Sequence, residues 1–78
     1  MEPITMKRRI NGTAVRVIRD LAGIRHMDLA ARAGISRGSL THVESGSRDV
    51  SAATLRKIAD ALRVPLEAIS YPDFQTKN

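Results

Sequence analysis

The feature that most constrains this chain is a three-residue connection, Gly34-Ile35-Ser36, between two segments with helical patterns. The spacing of apolar residues predicts helices over residues 26–33 and 37–45, with Ser36 capping the second and Gly46 ending it. Because Gly34 takes positive φ readily, the chain turns within three residues, and the two helices must cross steeply. No stretch alternates apolar and polar residues for long enough to predict a strand.

Two further helical segments and a short last turn complete the predicted fold. Residues 13–22 carry an apolar stripe with Thr13 as the candidate N-cap, and residues 52–62 carry another after the candidate cap Ser51. Pro65 suits the start of a last turn over residues 65–70. We therefore expect an all-α, compact five-helix domain over residues 12–71, preceded by a basic arm (1–11) and followed by a polar tail (72–78).

Composition and charge bound the function classes. The 78 residues suffice for one small domain, and the absence of cysteine excludes disulfides and cysteine-based zinc sites. No apolar run is long enough for a transmembrane helix or a signal peptide, so an intracellular protein is expected. Thirteen basic residues against eight acidic ones give a net charge of +5, concentrated in residues 1–25. This excess favours a polyanionic partner, nucleic acid first, although small proteins are also basic by chance.

Residues 28–64, DLAARAGISRGSLTHVESGSRDVSAATLRKIADALRV, resemble the XRE-type helix-turn-helix family, which includes phage Cro proteins and phage repressors. The resemblance extends over about residues 14–70 and rests on Leu29-Ala30, Gly34-Ile35-Ser36 and Val43-Glu44, followed by the apolar stripe from Leu55 to Leu62. It implies a lambda-repressor-like fold and a transcriptional regulator that binds double-stranded operator DNA. A small phage Cro-type repressor is the most similar kind of protein, and it needs no cofactor.

The segment 37–45 is the candidate recognition helix, because Leu40 and Val43 are predicted to face inward and leave a polar side open. In the resembled family, the matching positions contact base edges in the major groove; here they are Arg37, Gly38, Thr41 and His42. The fork of Arg37 can bond O6 and N7 of guanine together, the alternatives being a phosphate contact or a solvated side chain. Gly38 departs from the family because it offers no side chain for base recognition.

Phosphate contacts are expected on both sides of this helix, because the starts of helices offer amide donors to anions. The resemblance and the basic arm together give nine candidates: Lys7, Arg8, Arg9, Arg25, His26, Ser36, Ser39, Ser47 and Arg48. Arg25-His26 stands where the family usually has a serine cap followed by glutamine. For Lys7, Arg8 and Arg9 a solvated basic run is the alternative to contacts with a phosphate strand or a narrow minor groove.

One further pair has a structural role by resemblance. In the family, an arginine of the first helix pairs with the glutamate near the end of the third, and Arg19 and Glu44 fill these positions. Catalysis by Glu44 would require a partner carboxylate or a nucleophile, and the sequence provides no such set and no metal-ligand spacing. We therefore expect neither an enzyme nor a metal site.

Alternatives to the Cro-type repressor come from different classes. One is an antitoxin-like DNA-binding protein whose main partner is a toxin protein, and another is a purely protein-binding helical module. The surface that relatives use for pairing offers little apolar area here, at Ala52, Ala53, Leu66 and Ala68. We expect a monomer or a weak homodimer that pairs on DNA, with no membrane partner, in the cytoplasm of a bacterial or phage-infected cell and associated with the nucleoid.

Overall fold

The computed structural model describes residues 6–74, with side chains for residues 8–72. In this part of the chain four α-helices pack beside one two-stranded sheet. In chain order the elements are β1 (Met6–Ile10), α1 (Gly12–Leu21), α2 (His26–Ala33), α3 (Arg37–Ser45), α4 (Ala52–Leu62), a 3₁₀ helix (Leu66–Ile69) and β2 (Ser70–Phe74). None of the described helices is long and apolar enough to cross a membrane.

Side-chain caps explain where three of the helices begin. The Oδ1 atom of Asn11 accepts the Ala14 amide at 3.1 Å, and Ser36 and Ser51 cap α3 and α4 in the same way. The prediction of Thr13 as the cap of α1 is therefore wrong by two residues. Helix α2 lacks such a cap, since Arg25 occupies its N-cap position and makes no side-chain bond there.

The turn between α2 and α3 forms as the sequence predicts. Gly34 adopts φ 69°, and the Ile35 amide donates to the Ala30 carbonyl at 3.0 Å, which closes the end of α2. The crossing helices bury their apolar stripes in one core, whose fully buried side chains are Val15, Leu29, Leu40, Val43, Ile58 and Ile69. This core holds one side of α3 and leaves the other side in solvent.

The expectation of an all-α, five-helix domain is wrong at both ends of the described chain. The expected fifth helix is a single 3₁₀ turn, and Met6–Ile10 pairs antiparallel with Ser70–Phe74, with Ile10 opposite Ser70. Ile10 is buried at 9% exposure, and the Asn11 amide donates to the Ile69 carbonyl at 2.7 Å. Burial of Ile10 and the backbone hydrogen bonds between the strands stabilise this two-stranded sheet. A loose arm would have neither contribution.

Helix α1 approaches the end of α3 at a glycine. A β-carbon on Gly12 would overlap the carbonyl oxygen of Val43 and would lie 3.2 Å from the carbonyl carbon of Glu44. Only glycine therefore permits this crossing at its present distance. The contact fixes the depth at which α3 lies against α1, and so it positions the exposed side of α3.

Candidate nucleic-acid interface

Helix α3 is divided lengthwise into a buried side and an exposed side. Leu40 and Val43 are 0% and 1% exposed, whereas the four predicted base-contacting residues are all exposed to solvent. We call these four, Arg37, Gly38, Thr41 and His42, the recognition edge. A β-carbon on Gly38 would meet only the Ser36 hydroxyl, at 4.0 Å, so the middle of the edge is open. An α-helix with such an edge fits the major groove of B-DNA.

A bidentate ion pair fixes the C-terminal end of α3 to α1. The Nε and Nη2 atoms of Arg19 donate to the two carboxylate oxygens of Glu44 at 2.8 and 3.1 Å, and Nη1 donates to the Ile24 carbonyl at 3.0 Å. The two side chains are only 12% and 9% exposed. The hydrogen bond to Glu44 raises the pKa of Arg19 against the opposing effect of burial, and the negative charge of Glu44 adds to it.

The N-terminal end of α3 carries two serines with different hydrogen-bonding roles. The Ser36 Oγ atom accepts the Ser39 amide at 3.0 Å and donates its own proton to the Ser39 Oγ atom at 2.9 Å. A hydroxyl has only one proton, so the proton of Ser36 is engaged and that of Ser39 remains to be donated. Of these two predicted phosphate contacts, Ser39 is therefore the one whose hydroxyl can donate to a phosphate oxygen.

Thr41, in the middle of the recognition edge, is linked to α2. Its Oγ1 atom donates to the Arg37 carbonyl at 3.0 Å and lies 3.2 Å from the Nε2 atom of His26. His26 was predicted as a phosphate contact, and the structure places one of its ring nitrogens against Thr41 instead of toward solvent. Only the Nδ1 atom of His26 remains for a phosphate.

His42 is linked to the loop that follows α3. Its Nδ1 atom lies 3.1 Å from the Ser47 hydroxyl, and Ser45 and Ser47 both contact the His42 carbonyl, at 3.0 and 3.3 Å. The structure thus brings a predicted base contact and a predicted phosphate contact into one hydrogen-bonded cluster. The Nε2 atom of His42 has no such bond and is the ring nitrogen available to a base.

The predicted cationic contacts divide into two groups. Arg25, at the N-cap of α2, and Arg48, in the loop after α3, are both exposed, and Arg25 makes a loose pair with Asp28 at 3.7 Å. Arg9 lies beside the loop after α3, where it pairs with Asp49 at 3.7 Å and lines one cleft together with Arg48. Arg9 and Arg48 therefore lie together at the loop that follows α3, and Arg25 lies at the start of α2.

Arg8 and Lys7 are the other two predicted cations of the basic arm. The structure does not bring Arg8 to α3, because its Nε atom donates to the Ser70 hydroxyl at 2.8 Å and Nη2 to the Ser70 carbonyl at 3.3 Å. Lys7 belongs to β1, but its side chain lies outside the described residues. Arg8 also lines a cleft with Asp49, Val50 and Ser51, so Arg8 and Arg9 both lie beside the loop after α3 but have different polar partners, Ser70 and Asp49.

Sequence analysis missed Arg16 as a candidate contact. Arg16 is exposed on α1 and lines a shallow cleft of about 250 Å³ with His26, Thr41, Glu44 and Ser45. It precedes Arg19 by three residues, so the two arginines lie on the same side of α1, which faces α3. That spacing was the available signal, because the expected pairing of Arg19 with Glu44 already fixed which side of α1 faces α3.

Comparison with known proteins agrees with this geometry. A sequence profile described as helix-turn-helix matches residues 15–69, which include all four α-helices except the first turn of α1. The chain belongs to the XRE-type helix-turn-helix family. This helix-turn-helix protein is 33% identical over 61 residues to the transcriptional repressor RghR of Bacillus subtilis, a match that covers 77% of the chain and 45% of RghR. The chain spans less than half the length of the curated relatives it matches.

Two solved structures show how far the likeness of this helix-turn-helix protein extends. The restriction-modification controller protein C.AhdI from Aeromonas hydrophila superposes with a TM-score of 0.71 at 32% identity, over 73% of this chain and 86% of that one. The DNA-binding domain of the P22 c2 repressor superposes with a TM-score of 0.70 at 21% identity, over 72% and 74% of the two chains, which supports the fold alone. Both strands of the sheet, residues 6–10 and 70–74, lie outside the segment that the family profile matches.

Proposed function

We propose that this protein is a DNA-binding transcriptional regulator that inserts α3 into the major groove of an operator and acts as a Cro-type repressor. The observation that carries the proposal is the recognition edge: four solvent-exposed positions on a helix whose opposite side is fixed in the core. A rigid helix presenting polar groups to one side is the element that reads base edges in this class of motif. The family of the chain and the repressor and controller proteins it resembles support the same function.

Phosphate contacts hold the helix in register in this proposal. Arg25 precedes α2, while Ser47 and Arg48 follow α3, and all three are exposed, which supports their role as phosphate contacts on either side of the helix-turn-helix. Such contacts provide affinity for any sequence, whereas Arg37 and its neighbours on the edge provide specificity. Bound in this way, the protein would exclude polymerase or a competing regulator from the same DNA.

Pairing of two protomers is weak or depends on DNA in this proposal. The supporting observation is that Ala52, Ala53 and Ala68 are exposed but small, and Leu66 is partly buried against the protein's own core. Such a surface offers little apolar area for a stable dimer. Sedimentation is expected to show a monomer in the absence of DNA, and a tight dimer at micromolar concentration would contradict this.

The test compares three arginine-to-alanine variants on duplexes selected from a random library. Arg37→Ala should relax preference at one base pair, by about 1–3 kcal/mol, because its fork reads a base. Arg48→Ala should weaken binding to all duplexes alike and lower the slope of log affinity against log salt by about 0.9, because it neutralises a phosphate. Arg32→Ala is the matched control, since Arg32 is exposed in a cleft that no residue of α3 lines.

Fluorescence anisotropy across a salt series measures both quantities. The proposed function is wrong if the protein binds no duplex with a salt-sensitive preference, or if Arg32→Ala reduces binding as much as Arg37→Ala does. A purely protein-binding module would give the first of these results. An antitoxin-like protein would keep the DNA preference and also purify with a protein partner.

A further inference from the structure

The hydrogen bonds of Thr41 determine what it can offer to DNA. Its hydroxyl oxygen has two neighbours in the protein, the Arg37 carbonyl oxygen at 3.0 Å and His26 Nε2 at 3.2 Å. A hydroxyl carries one proton and two lone pairs, and a carbonyl oxygen can only accept. Within the protein, the proton of Thr41 can therefore point to one or the other of these two neighbours.

In the first arrangement Thr41 donates to the Arg37 carbonyl and accepts from a protonated Nε2 of His26. In the second, Thr41 donates to an unprotonated Nε2. Both arrangements direct the proton toward the protein, and both leave at least one lone pair of Oγ1 for an outside partner. The conclusion is therefore the same for both tautomers of His26.

Resting on the proposed function, we infer that Thr41 is a specificity-determining residue that only accepts a hydrogen bond from DNA, and that His26 is its positioning residue. In the major groove the base-edge donors are the N6 amine of adenine and the N4 amine of cytosine. Guanine presents only acceptors there, and thymine an acceptor and a methyl group. Thr41 therefore selects for adenine or cytosine at the position it contacts.

A phosphate contact for Thr41 is disfavoured by the same argument. Phosphate oxygens only accept, so they cannot bond a hydroxyl whose proton is directed into the protein. Ser39 shows the opposite polarity, since its hydroxyl keeps its proton while Ser36 donates to it at 2.9 Å. The hydroxyls of Ser39 and Thr41 are thus differentiated: Ser39 suits a phosphate, and Thr41 suits an exocyclic amine.

The methyl group of Thr41 is the competing source of preference, because it could contact the methyl group of thymine. Thr41→Val separates the two possibilities, since valine keeps the methyl group of threonine and replaces its hydroxyl by a second methyl group. If the hydroxyl is the determinant, Thr41→Val loses a preference for adenine or cytosine. If the methyl is the determinant, the variant keeps the wild-type preference, and the inference is wrong.

The experiment begins with duplex selection by the wild-type protein and by Thr41→Val, which identifies the base pair whose preference changes. At that pair, purine then replaces adenine, or 2-pyrimidinone replaces cytosine, so that only the exocyclic amine is removed. We expect the wild type to lose about three- to tenfold in affinity on the analogue, the usual range for one neutral hydrogen bond. Thr41→Val should bind the parent and the analogue duplexes equally.

Two further variants complete the design. Thr54→Val makes the same change in α4, where the hydroxyl accepts from Ser51 at 3.0 Å, and should leave every base preference unchanged. His26→Leu should reduce the preference at the Thr41 base pair, because Thr41 is then held by the Arg37 carbonyl alone, and His26→Gln should retain it through its amide. A merely structural role for His26 would lower thermal stability or overall affinity without changing that single preference.

The outcomes are distinct from those that test the proposed function. Absence of any salt-sensitive, sequence-dependent binding overturns both the proposed function and this inference. Specific binding with a preference for guanine or thymine at the Thr41 position, or with unchanged preferences in Thr41→Val, overturns this inference alone. Loss of the adenine or cytosine preference in Thr41→Val, together with equal binding of the analogue, supports it.

Discussion

Replacement by alanine should destabilise the protein at Gly12, the first residue of α1, and stabilise it at Gly38, in the first turn of α3. Gly12→Ala places a methyl group against the backbone of Val43 and Glu44, which moves only if α3 shifts away from α1. Overpacking of this kind costs about 1–3 kcal/mol, and the obstacle is backbone, so the upper half of the range applies. The lower entropy of alanine in the unfolded chain returns about 0.4–1 kcal/mol. The expected net loss is about 2 kcal/mol.

Gly38→Ala is the matched control, because its methyl group would meet nothing closer than the Ser36 hydroxyl at 4.0 Å. Its backbone is helical, so alanine should stabilise the fold by about 0.5–1 kcal/mol. A domain of this size changes its melting temperature by about 4–8 °C per kcal/mol. Thermal unfolding followed by circular dichroism should therefore show a fall of about 8–16 °C for Gly12→Ala and a rise of a few degrees for Gly38→Ala.

The DNA affinities of the two variants should separate in a different way. Gly38 lies on the recognition edge, so its methyl group enters the groove and should change affinity or base preference without loss of stability. Gly12 lies against the backbone at the end of α3, away from the recognition edge. Gly12→Ala should therefore change DNA affinity only to the extent that it displaces α3. Equal shifts in melting temperature for the two variants, or a Gly12→Ala protein as stable as the wild type, would refute the close approach of α1 and α3.

Two further predictions concern stability and are measured by urea unfolding. Glu44→Ala should cost about 3 kcal/mol, because it removes the two short hydrogen bonds of the largely buried Arg19 guanidinium and leaves it only the Ile24 carbonyl at 3.0 Å and Asp20 at 3.5 Å. Replacing Arg19 and Glu44 together by Met and Leu should recover much of that loss. If the losses of the single changes at Arg19 and at Glu44 simply add in the double variant, the two residues are not coupled. Arg63→Gly should stabilise the protein by about 0.5–1 kcal/mol, because Arg63 ends α4 at φ 58°, a left-handed conformation that costs arginine more in steric strain than glycine loses in backbone entropy. An unchanged urea midpoint would show that contacts of the Arg63 side chain offset this strain.

The parts of the fold that sequence predicted well are those fixed by local chemistry. Helices α2 and α3 begin and end where the sequence predicts, since Ser36 accepts an amide of the first turn and Gly34 and Gly46 adopt positive φ at the two ends. These signals act over three or four residues and are visible without knowledge of the rest of the chain.

The two-stranded sheet could not be predicted in the same way. Its strands have five residues each, and Arg8 lies opposite Pro72 across 64 positions of sequence. Neither MKRRI nor SYPDF alternates strictly between apolar and polar residues, and a proline in the second argues against a strand. Among the side chains that the structure describes, the pairing buries Ile10 and Ser70, and one isoleucine opposite a serine does not identify a partner strand.

The candidate site was predictable as a set of exposed positions and not as a set of hydrogen bonds. Helical periodicity places Arg37, Thr41 and His42 opposite Leu40 and Val43, and the structure has this arrangement. Whether Arg8 or Arg9 pairs with Asp49 depends on the pleat of β1, which the sequence did not reveal. The contact between His26 and Thr41 depends on the crossing of two helices, and periodicity carries no information on it.

Residues of α3 that hold the helix in the protein alternate along the chain with residues that face outward, and this limits which positions can change base preference without loss of stability. A helix of nine residues is too short to be stable alone, so its shape depends on contacts with α1 and α2. Arg37 is free of that requirement, because its exposed side chain forms no part of the core, and exchanging it should alter base preference at little cost in stability. Thr41 differs, since its hydroxyl joins α3 to His26 on α2 at 3.2 Å. If the proposed role of Thr41 holds, a substitution at His26 alone should also alter base preference at the Thr41 position, although His26 itself need not touch the base.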